Sequence, residues 1–379
     1  MAASLSIPTS LLPRDGRFGA GPSKVRQAQT QRLVDCNSHH TRALIMGTSH
    51  RQAPVRQVVA DIKQMLSQLF SLPDDYRVVL GNGGASAMWA VASTSLIERR
   101  SAHAVFGEFG GKFADETKRA PFLDDPVVFA AEPGQLATVS YHEDVDAYAW
   151  PHHETSTGVV SPVRRVAGAD GALMLVDATS IAGGVEVDVS ETDLYYFAPQ
   201  KCFGSDGGLW LALASPAAVE RAARLHSDSQ RWMPQILDFT VAVANSDKDQ
   251  TFNTPALATL LMLHAQLEWM LDIGGLAACA ARSRAASDVV YQWAQARDFA
   301  VPFVAAPEQR SPVVATIDFE GADAAAVARV LRENGVVDVD PYRKLGRNQL
   351  RIATFPSVEV EDVQALVGAI DWVVDALAN

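Results

Sequence analysis

Cysteine is scarce in this 379-residue chain, which contains only Cys36, Cys202 and Cys279. Three widely separated cysteines exclude a disulfide framework, and their spacing excludes a Cys-x-x-Cys zinc site. The chain is nevertheless long enough to bury a large apolar core without such crosslinks, and its length suggests two to three domains at most.

The chain also has fewer basic than acidic residues. Lys and Arg total 32 against 44 Asp and Glu, which gives a formal net charge of −12. A general nucleic-acid binder needs a basic face, so this balance argues against that class of protein. A small anionic substrate is still compatible with it, because a few arginines in one cleft suffice to bind one.

Long uninterrupted apolar runs are missing. The most apolar stretch, 257–281, is interrupted by polar residues such as Glu268 and Asp272, which is typical of an amphipathic helix rather than a membrane span. The first 22 residues contain no apolar segment of the kind found in secretory signals. We therefore expect no membrane partner and a cytoplasmic location.

Short apolar runs alternate with helical patterns through most of the chain. We predict buried strands at 77–80, 104–106, 127–130, 147–150, 172–176, 194–198 and 208–214. Strands that alternate with helices indicate an α/β fold with a mainly parallel sheet. The segment before residue 55 is predicted to be irregular, because it is rich in Pro, Gly, Arg and His.

A composition shift with three prolines, at 301–312, indicates a second unit. We predict strands at 313–319, 336–339 and 349–354 and helices at 322–334 and 359–378, which together form a small α+β domain. The predicted organisation is therefore a loose N-terminal tail (1–17), a large α/β domain (18–300) and a small C-terminal α+β domain (301–379).

A glycine-rich segment, Gly81-Asn82-Gly83-Gly84-Ala85-Ser86, joins a predicted strand to a predicted helix. The backbone amides of such a turn, together with the helix N-terminus, can bind an anion. Ser86 stands where the dinucleotide fingerprint needs Gly or Ala, and no Gly-Lys-Ser/Thr follows for a Walker motif. A phosphate site and a plain tight turn both remain open here.

Two charged side chains follow predicted buried strands, Asp177 and Lys201, which are 24 residues apart. Taken singly, Asp177 could be a helix cap or an ion-pair partner, and Lys201 a solvated surface group. Carboxyl ends of parallel strands meet at one edge of a sheet, so the two should lie close together. With the upstream phosphate site they match the needs of pyridoxal phosphate: a lysine for the Schiff base and a carboxylate for the pyridine nitrogen.

Several cationic residues could bind anionic substrates: His50 and Arg51 in the irregular N-terminal segment, Arg351 on a predicted strand, and Arg343 and Lys344 just before it. Arginine suits bidentate binding of carboxylates and phosphates. In so acidic a chain, the basic cluster before Arg351 hints at a doubly anionic substrate, with a solvated charged loop as the alternative.

Adjacent histidines, His152 and His153, raise the question of a metal site. They point in different directions on an extended chain, and no other His, Cys or Asp has suitable spacing, so we predict no metal. Thr155 could donate a hydrogen bond at the strand end. Phe109 could belong to the core or stack on a bound ring.

These motifs together resemble those of the phosphoserine aminotransferases, class V aminotransferases of the pyridoxal-phosphate-dependent fold type I. The segments that carry the resemblance are Ser49-His50-Arg51, Gly83-Gly84-Ala85-Ser86, Glu154-Thr155, Asp177-Ala178-Thr179-Ser180, Gln200-Lys201, Phe252-Asn253-Thr254-Pro255 and Arg351. They run in order from about residue 18 to the C-terminus. The Gln-Lys and Phe-Asn-Thr-Pro segments are the most specific.

The resemblance implies a role for each of these positions. Lys201 would bind the cofactor as a Schiff base and act as general base and acid, and Asp177 would bind its pyridine nitrogen. The other implied cofactor contacts are Phe109 stacked on the ring, Thr155 at its substituents, Ala85, Ser86 and Gln200 at its phosphate, and Asn253 and Thr254 reaching that phosphate from the second subunit of a homodimer.

The resemblance also implies the substrate contacts. Arg351 would bind the α-carboxylate, and His50 and Arg51 would bind the other anionic groups. Many relatives carry Arg at the position of Ser86, so the charge that holds the distal anion is missing here. Arg343 or Lys344 would supply it instead.

The implied reaction is the reversible transfer of an amino group from glutamate to 3-phosphohydroxypyruvate, which gives O-phosphoserine and 2-oxoglutarate in serine biosynthesis. A parallel role in pyridoxine biosynthesis is also implied.

Three other classes of protein compete with this interpretation. Another class V enzyme is the nearest, but a cysteine desulfurase needs a cysteine on a mobile loop near the small domain, and no cysteine follows Cys279. An alanine-type transaminase would not need cations beyond Arg351. The incomplete glycine fingerprint argues against a nicotinamide-dependent dehydrogenase. The presence of both Lys201 and Asp177 argues against an inactive scaffold.

Overall fold

The computed structural model describes residues 5–37 and 45–378. Its helices are α1 (Gln27–Asp35), α2 (Ala53–Leu69), α3 (Ala85–Ser95), α4 (Glu108–Arg119), α5 (Pro216–His226), α6 (Phe239–Ser246), α7 (Leu257–Asp272), α8 (Gly275–Gln295), α9 (Ala324–Glu333) and α10 (Val360–Ala378). Its strands are β1 (Arg77–Asn82), β2 (Ser101–Val105), β3 (Val127–Ala130), β4 (Ala147–Pro151), β5 (His153–Glu154), β6 (Val159–Val160), β7 (Leu173–Asp177), β8 (Leu194–Phe197), β9 (Leu209–Ala214), β10 (Ala300–Pro302), β11 (Val314–Phe319) and β12 (Gln349–Ala353).

A seven-stranded sheet in the order β1-β9-β8-β7-β4-β2-β3 forms the centre of the fold. The strands from β8 to β3 pair in parallel, and β9 runs antiparallel to both of its neighbours. Because β4, β7 and β8 are adjacent and parallel, the residues that follow them meet at one edge of the sheet. The mainly parallel sheet confirms the predicted α/β fold.

The central strands are apolar on both faces because each face is covered. On β8, Tyr195 and Phe197 pack into one hydrophobic core, while Leu194 and Tyr196 pack into a second core on the opposite face. Successive strand residues point to opposite faces of the sheet. When both faces are packed against other parts of the protein, the sequence of the strand is therefore a continuous apolar run. This explains why the strands are visible in the sequence as short apolar runs rather than as alternating patterns.

A three-stranded antiparallel sheet, β10-β11-β12, packs with α9 and α10 around a separate apolar core near the C-terminus. The long helix α8 contributes to both regions, since Cys279 lies in the core of the large sheet and Trp293 in the C-terminal core. A domain boundary at residue 300 therefore stays a prediction.

The N-terminal residues differ from the expectation. The prediction of a loose tail is wrong for residues 5–17, which lie against the C-terminal region. Ile7 is buried in that core, and its backbone amide donates to Asn334 Oδ1 at 3.0 Å. The amide of Arg14 donates to Asp362 Oδ1 at 2.9 Å. Hydrogen bonds to distant side chains, which no local pattern reveals, hold this segment.

Two local predictions also fail. The strand expected at 336–339 is reduced to an isolated bridge between Arg17 and Val337, because Asp338 takes a left-handed backbone conformation (φ 64°) that interrupts an extended strand. The segment expected to be irregular contains α1, whose polar sequence has little apolar periodicity. That helix is fixed by buried Gln29, which donates to the carbonyl oxygens of Gly204 and Met262 at 3.1 and 3.2 Å.

In the part of the chain that the structure describes, no helix has the length and apolarity needed to cross a membrane.

Candidate active site

A cavity of about 500 Å³ lies at the carboxyl ends of β4, β7 and β8. Seven of the predicted site residues line it: Ala85, Ser86, Phe109, Thr155, Asp177, Gln200 and Lys201. It is further lined by Gly21, Pro22, Gly84, Trp89, Pro151, His153, Thr179, Ser180, Asp206 and Gly207. The structure thus brings together residues that are more than a hundred positions apart in the chain.

Lys201 enters the cavity from the loop that follows β8. Its Nζ donates a hydrogen bond of 2.6 Å to the carbonyl oxygen of Ala20. Burial of the amine, together with the positive charge of Arg351, lowers the pKa of Lys201 to about 8. Gly21 makes this position possible, because it has a φ of 136° and a Cβ atom there would lie 2.4 Å from Nζ.

Asp177 ends β7 and is 8% exposed. Its Oδ2 accepts a 2.9 Å hydrogen bond from Trp89 Nε1, and its Oδ1 accepts one of 2.9 Å from the amide of Thr179. No Lys, Arg or His of the described residues lies within ion-pair distance of this carboxylate. A buried carboxylate oriented by two donors but lacking a cation suits a protonated ring nitrogen.

The glycine-rich turn before α3 supplies hydrogen-bond donors to the same cavity. The turn is made possible by Gly83, with a φ of 115°, and no side chain caps the helix that begins at Ala85. The amides of the first helical turn have no acceptor within their own helix, so those of Ala85 and Ser86 are suited to an anion. Gln200 lies beside them with its Oε1 buried and without a partner among the described residues.

Phe109 is held by a buried carboxylate that the sequence analysis gave no role. Glu154 Oε2 accepts hydrogen bonds of 3.0 Å from the amides of both Phe109 and Gly110, at the N-terminus of α4. Its Oε1 accepts a 2.7 Å bond from Ser156 Oγ. Burial raises the pKa of Glu154, although these hydrogen bonds oppose the shift. The position of Phe109 in the cavity thus depends on Glu154.

Arg351 lies on β12, adjacent to the cavity lining rather than within it. One of its terminal nitrogens donates to the carbonyl oxygen of Thr155 at 3.2 Å, and its guanidinium carbon lies 5.4 Å from the centre of the Tyr342 ring. Its Nε is buried and has no partner among the residues described. Burial lowers the pKa of Arg351. The side chain therefore keeps hydrogen-bonding capacity for a ligand.

Four predicted residues form a separate cluster outside the cavity lining. His50 Nδ1 lies 3.3 Å from Thr254 Oγ1, and the amide of Asn253 donates to Asn82 Oδ1 at 3.3 Å. Arg51, Asn253 and Thr254 are exposed, whereas burial and the neighbouring Arg51 lower the pKa of His50. Within one chain, these residues do not meet Lys201.

The two predicted distal-anion residues lie on an exposed turn before β12. Lys344 Nζ forms an ion pair with Glu108, the first residue of α4 and the neighbour of Phe109. Arg343 is exposed and has no ion-pair partner among the described residues. The turn is therefore tied to the same helix terminus that presents Phe109 to the cavity.

Sequence reasoning gave no cofactor or substrate role to three residues of the cavity region: Trp89, His153 and Glu154. His153 was considered only as a metal ligand, and Glu154 only as part of the Glu154-Thr155 motif. Trp89 lies one turn into α3, so its place on the helix that follows the glycine-rich turn was the available signal. His153 and Glu154 follow β4 directly, and polar residues after a buried parallel strand are the same signal that pointed to Asp177.

The family described as aminotransferase class-V matches residues 135–339. The phosphoserine aminotransferase of a Nocardioides species is 56% identical over 380 residues, covering all of both chains. That of Rhodococcus jostii is 53% identical over 378 residues, again covering all of both chains. A solved phosphoserine aminotransferase from Cytophaga hutchinsonii shares the fold, with a TM-score of 0.85 at 20% identity over 94% of this chain and 99% of that one.

These matches confirm three predictions: the fold type I architecture, the resemblance to phosphoserine aminotransferases, and pyridoxal phosphate as the cofactor. The assignment rests on full-length identity above 50% to curated relatives, while the solved structures add the shared fold. The chain belongs to the class V aminotransferases, a family of pyridoxal-phosphate-dependent enzymes.

Proposed function

We propose that this chain catalyses the reversible transfer of an amino group from glutamate to 3-phosphohydroxypyruvate, giving O-phosphoserine and 2-oxoglutarate. The names of its full-length relatives support this reaction. The observation that carries the proposal is that one cavity holds both Lys201, whose pKa is lowered to about 8, and the carboxylate of Asp177, which has no ion-pair partner among the described residues. Serine biosynthesis is the pathway in which this reaction serves.

The residues of the cavity fit pyridoxal phosphate. The unpartnered polar atoms around it, such as Gln200 Oε1 and His153 Nε2, indicate a polar ligand, and its volume accommodates a small cofactor. Ala85, Ser86 and Gln200 would hold the phosphate, Asp177 the ring nitrogen, Thr155 the ring substituents and Phe109 the ring face. When bound, the cofactor acts as an electron sink for charge that develops at the α-carbon of the amino acid.

Lys201 would bind the cofactor covalently and then move the proton at the substrate α-carbon. An amine with a pKa of about 8 is unprotonated in about one molecule in ten at pH 7, far more often than an ordinary lysine. The free amine is the form that acts as nucleophile and as base. Arg351 lowers this pKa by its charge, so the predicted carboxylate site and the base are electrostatically linked.

Arg351 would bind the α-carboxylate that both amino-acid substrates share. It is largely buried, and its unpartnered Nε leaves a donor for a bidentate contact. The substrate phosphate would be bound by Arg343 or Lys344, since Ser86 carries no charge. His50 and Arg51 would add to this anion site.

We further propose that the active form is a homodimer located in the cytoplasm. Arg51, Asn253 and Thr254 are exposed and, with the buried His50, lie outside the cavity lining of their own chain. This placement supports their use by a second subunit. In that arrangement, Asn253 and Thr254 would reach the cofactor phosphate of the partner. Formation of 4-phosphohydroxythreonine in pyridoxine biosynthesis is a second proposed reaction of the same site.

A direct test is to compare kcat/KM for phosphoserine, serine and alanine with 2-oxoglutarate as acceptor, using enzyme loaded with pyridoxal phosphate. The proposal predicts a kcat/KM for phosphoserine at least about a hundredfold above that for serine, because serine lacks the phosphate that the cationic side chains Arg343, Lys344 and Arg51 would bind. Equal turnover of the three amino acids would make the enzyme a different class V transaminase. A light-scattering mass near one chain would contradict the homodimer.

A further inference from the structure

His153 has a buried nitrogen without a hydrogen-bond partner among the residues that the structure describes. The residue is 3% exposed and lines the cavity that contains Lys201 and Asp177. Its Nε2 makes no hydrogen bond to any described residue. Buried polar atoms are nearly always paired, so an open nitrogen in a ligand cavity indicates a partner on the ligand.

The other end of the ring is fixed. His153 Nδ1 lies 2.7 Å from Ser180 Oγ, and the backbone of His153 pairs with Val160 in the short β5–β6 ladder. The neighbouring His152 bonds to a different group, with its Nδ1 3.0 Å from the hydroxyl of Tyr195. The two adjacent histidines therefore differ: His152 has a protein partner and lies outside the cavity lining, whereas His153 is held at one nitrogen and open at the other.

The surroundings keep the imidazole neutral. Burial and the positive charges of Lys201 and Arg351, with a smaller effect of His152, hold the pKa of His153 well below its usual value. A neutral imidazole has one donor and one acceptor nitrogen. The Ser180 hydroxyl has two acceptors within reach, His153 Nδ1 at 2.7 Å and the carbonyl oxygen of His153 at 3.3 Å, and the contact to Nδ1 is the shorter. When Ser180 donates to Nδ1, the imidazole proton lies on Nε2, which can then donate to an anionic oxygen of a ligand.

We infer that His153 is a ligand-binding residue that donates a hydrogen bond from Nε2 to an anionic oxygen of the group bound in this cavity. The accepting oxygen belongs to the ring hydroxyl of pyridoxal phosphate or to the α-carboxylate of the amino acid. This inference rests on the proposed function. It adds to the predicted site a neutral donor that shares the cavity lining with Lys201 and lies within the electrostatic influence of Arg351.

The test uses His153→Phe, which keeps a flat ring but removes the donor, and His153→Gln, whose side-chain amide places an N–H near the position of Nε2. Ser180→Ala removes the group that holds Nδ1. His152→Gln is the matched control, because it alters the adjacent buried histidine outside the cavity lining. Each variant is loaded with pyridoxal phosphate, and its thermal melting is compared with that of the wild type. Two quantities are then measured: the pH midpoint of the cofactor absorption band without substrate, and the spectral Kd for phosphoserine.

If the donor serves the cofactor oxygen, His153→Phe raises the pH midpoint by about one unit, because the donor competes with the proton on the Lys201 nitrogen for that oxygen. If it serves the carboxylate, the midpoint is unchanged and the Kd for phosphoserine rises about tenfold. Either result supports the inference if the other variants agree with it. His153→Gln should restore most of the wild-type pH midpoint or Kd, and Ser180→Ala should change the same quantity in the same direction by a smaller amount. His152→Gln should leave both quantities unchanged.

The inference is wrong if His153→Phe and Ser180→Ala match the wild type in both quantities, or if His152→Gln changes them equally. Its failure is distinct from that of the proposed function. A wild-type enzyme that binds the cofactor but shows no spectral response to phosphoserine contradicts the proposed function, whereas a normal wild-type response with unchanged variants contradicts the role of His153 alone.

Discussion

Trp89 Nε1 donates a 2.9 Å hydrogen bond to Asp177 Oδ2, and both side chains are buried. This contact joins the helix that follows the glycine-rich turn to the end of a central strand. It fixes one carboxylate oxygen of Asp177 while the Thr179 amide holds the other. The two parts of the proposed cofactor site, the anion-binding turn and the ring-binding carboxylate, are thereby linked through one indole.

Trp89→Phe should weaken cofactor binding and lower kcat about tenfold, since a hydrogen bond to a charged group is worth about 1.5–3 kcal/mol. Phe keeps an aromatic ring but is smaller than the buried indole, so thermal melting of the variant measures the lost packing separately from the lost N–H group. Equilibrium dialysis of pyridoxal phosphate and steady-state kinetics measure both quantities. Trp232→Phe, at a 78% exposed position, is the control. Equal behaviour of the two variants would show that the Trp89 contact does not matter for cofactor binding.

Arg351→Lys should raise KM for glutamate and for phosphoserine alike, by about tenfold or more, because both carry an α-carboxylate and lysine lacks the planar fork. Arg347→Lys serves as the control, since Arg347 pairs with Asp318 on the surface. A rise in KM for only one of the two substrates would contradict a shared carboxylate site.

Lys344 forms an ion pair with Glu108, so replacing one partner or the other should change KM for phosphoserine in opposite directions. Lys344→Ala should raise KM for phosphoserine more than for glutamate, because a phosphate carries up to about two negative charges. Glu108→Gln should lower KM for phosphoserine, because it releases Lys344 from its partner. If KM for phosphoserine is unchanged in both Lys344→Ala and Arg343→Ala, the substrate phosphate is bound by His50 and Arg51 instead.

Two buried histidines outside the cavity lining predict a loss of stability in acid. Burial lowers the pKa of His103 to about 3 and that of His152 to about 4. Both stay neutral in the folded protein while an unfolded chain takes up protons below a pH of about 6.5, so stability present above that pH is lost as the pH falls.

The variant His103→Gln isolates one of these contributions, because its amide can still bond to Ser101 and Thr117, which contact His103 Nε2. Between pH 6.5 and 5, its unfolding free energy should fall less steeply than that of the wild type, by up to about 1.4 kcal/mol per pH unit. Urea titrations at a series of pH values measure this slope. Equal slopes would mean that His103 takes up its proton at the same pH in the folded protein as in the unfolded chain.

Residues at strand ends were predictable because their signal is local. A charged residue within a few positions of the end of an apolar run, such as Asp177 or Lys201, is visible in the sequence. The rule that parallel strands end at one edge of the sheet then places such residues together. Trp89 was not predictable in this way, since an indole in an apolar helix looks like a core residue. Its role depends on a contact with a strand 88 residues away.

Other features depend on distant contacts in the same way. Lys344 meets Glu108 across 236 positions, and Ile7 bonds to Asn334 across 327. No periodicity encodes such pairs. The strand predicted at 336–339 fails for a different reason. Asp338 has a left-handed backbone conformation, which aspartate adopts only in particular contexts and which interrupts an extended strand.

The most direct test of the central claim is an absorption titration of the pyridoxal-phosphate-loaded protein, first with phosphoserine and then with serine. The account predicts that phosphoserine bleaches the band of the lysine-bound cofactor, that serine at the same concentration does not, and that Lys201→Ala never shows the band. A wild-type protein without such a band after added pyridoxal phosphate, or a Lys201→Ala variant that turns over normally, would contradict the account.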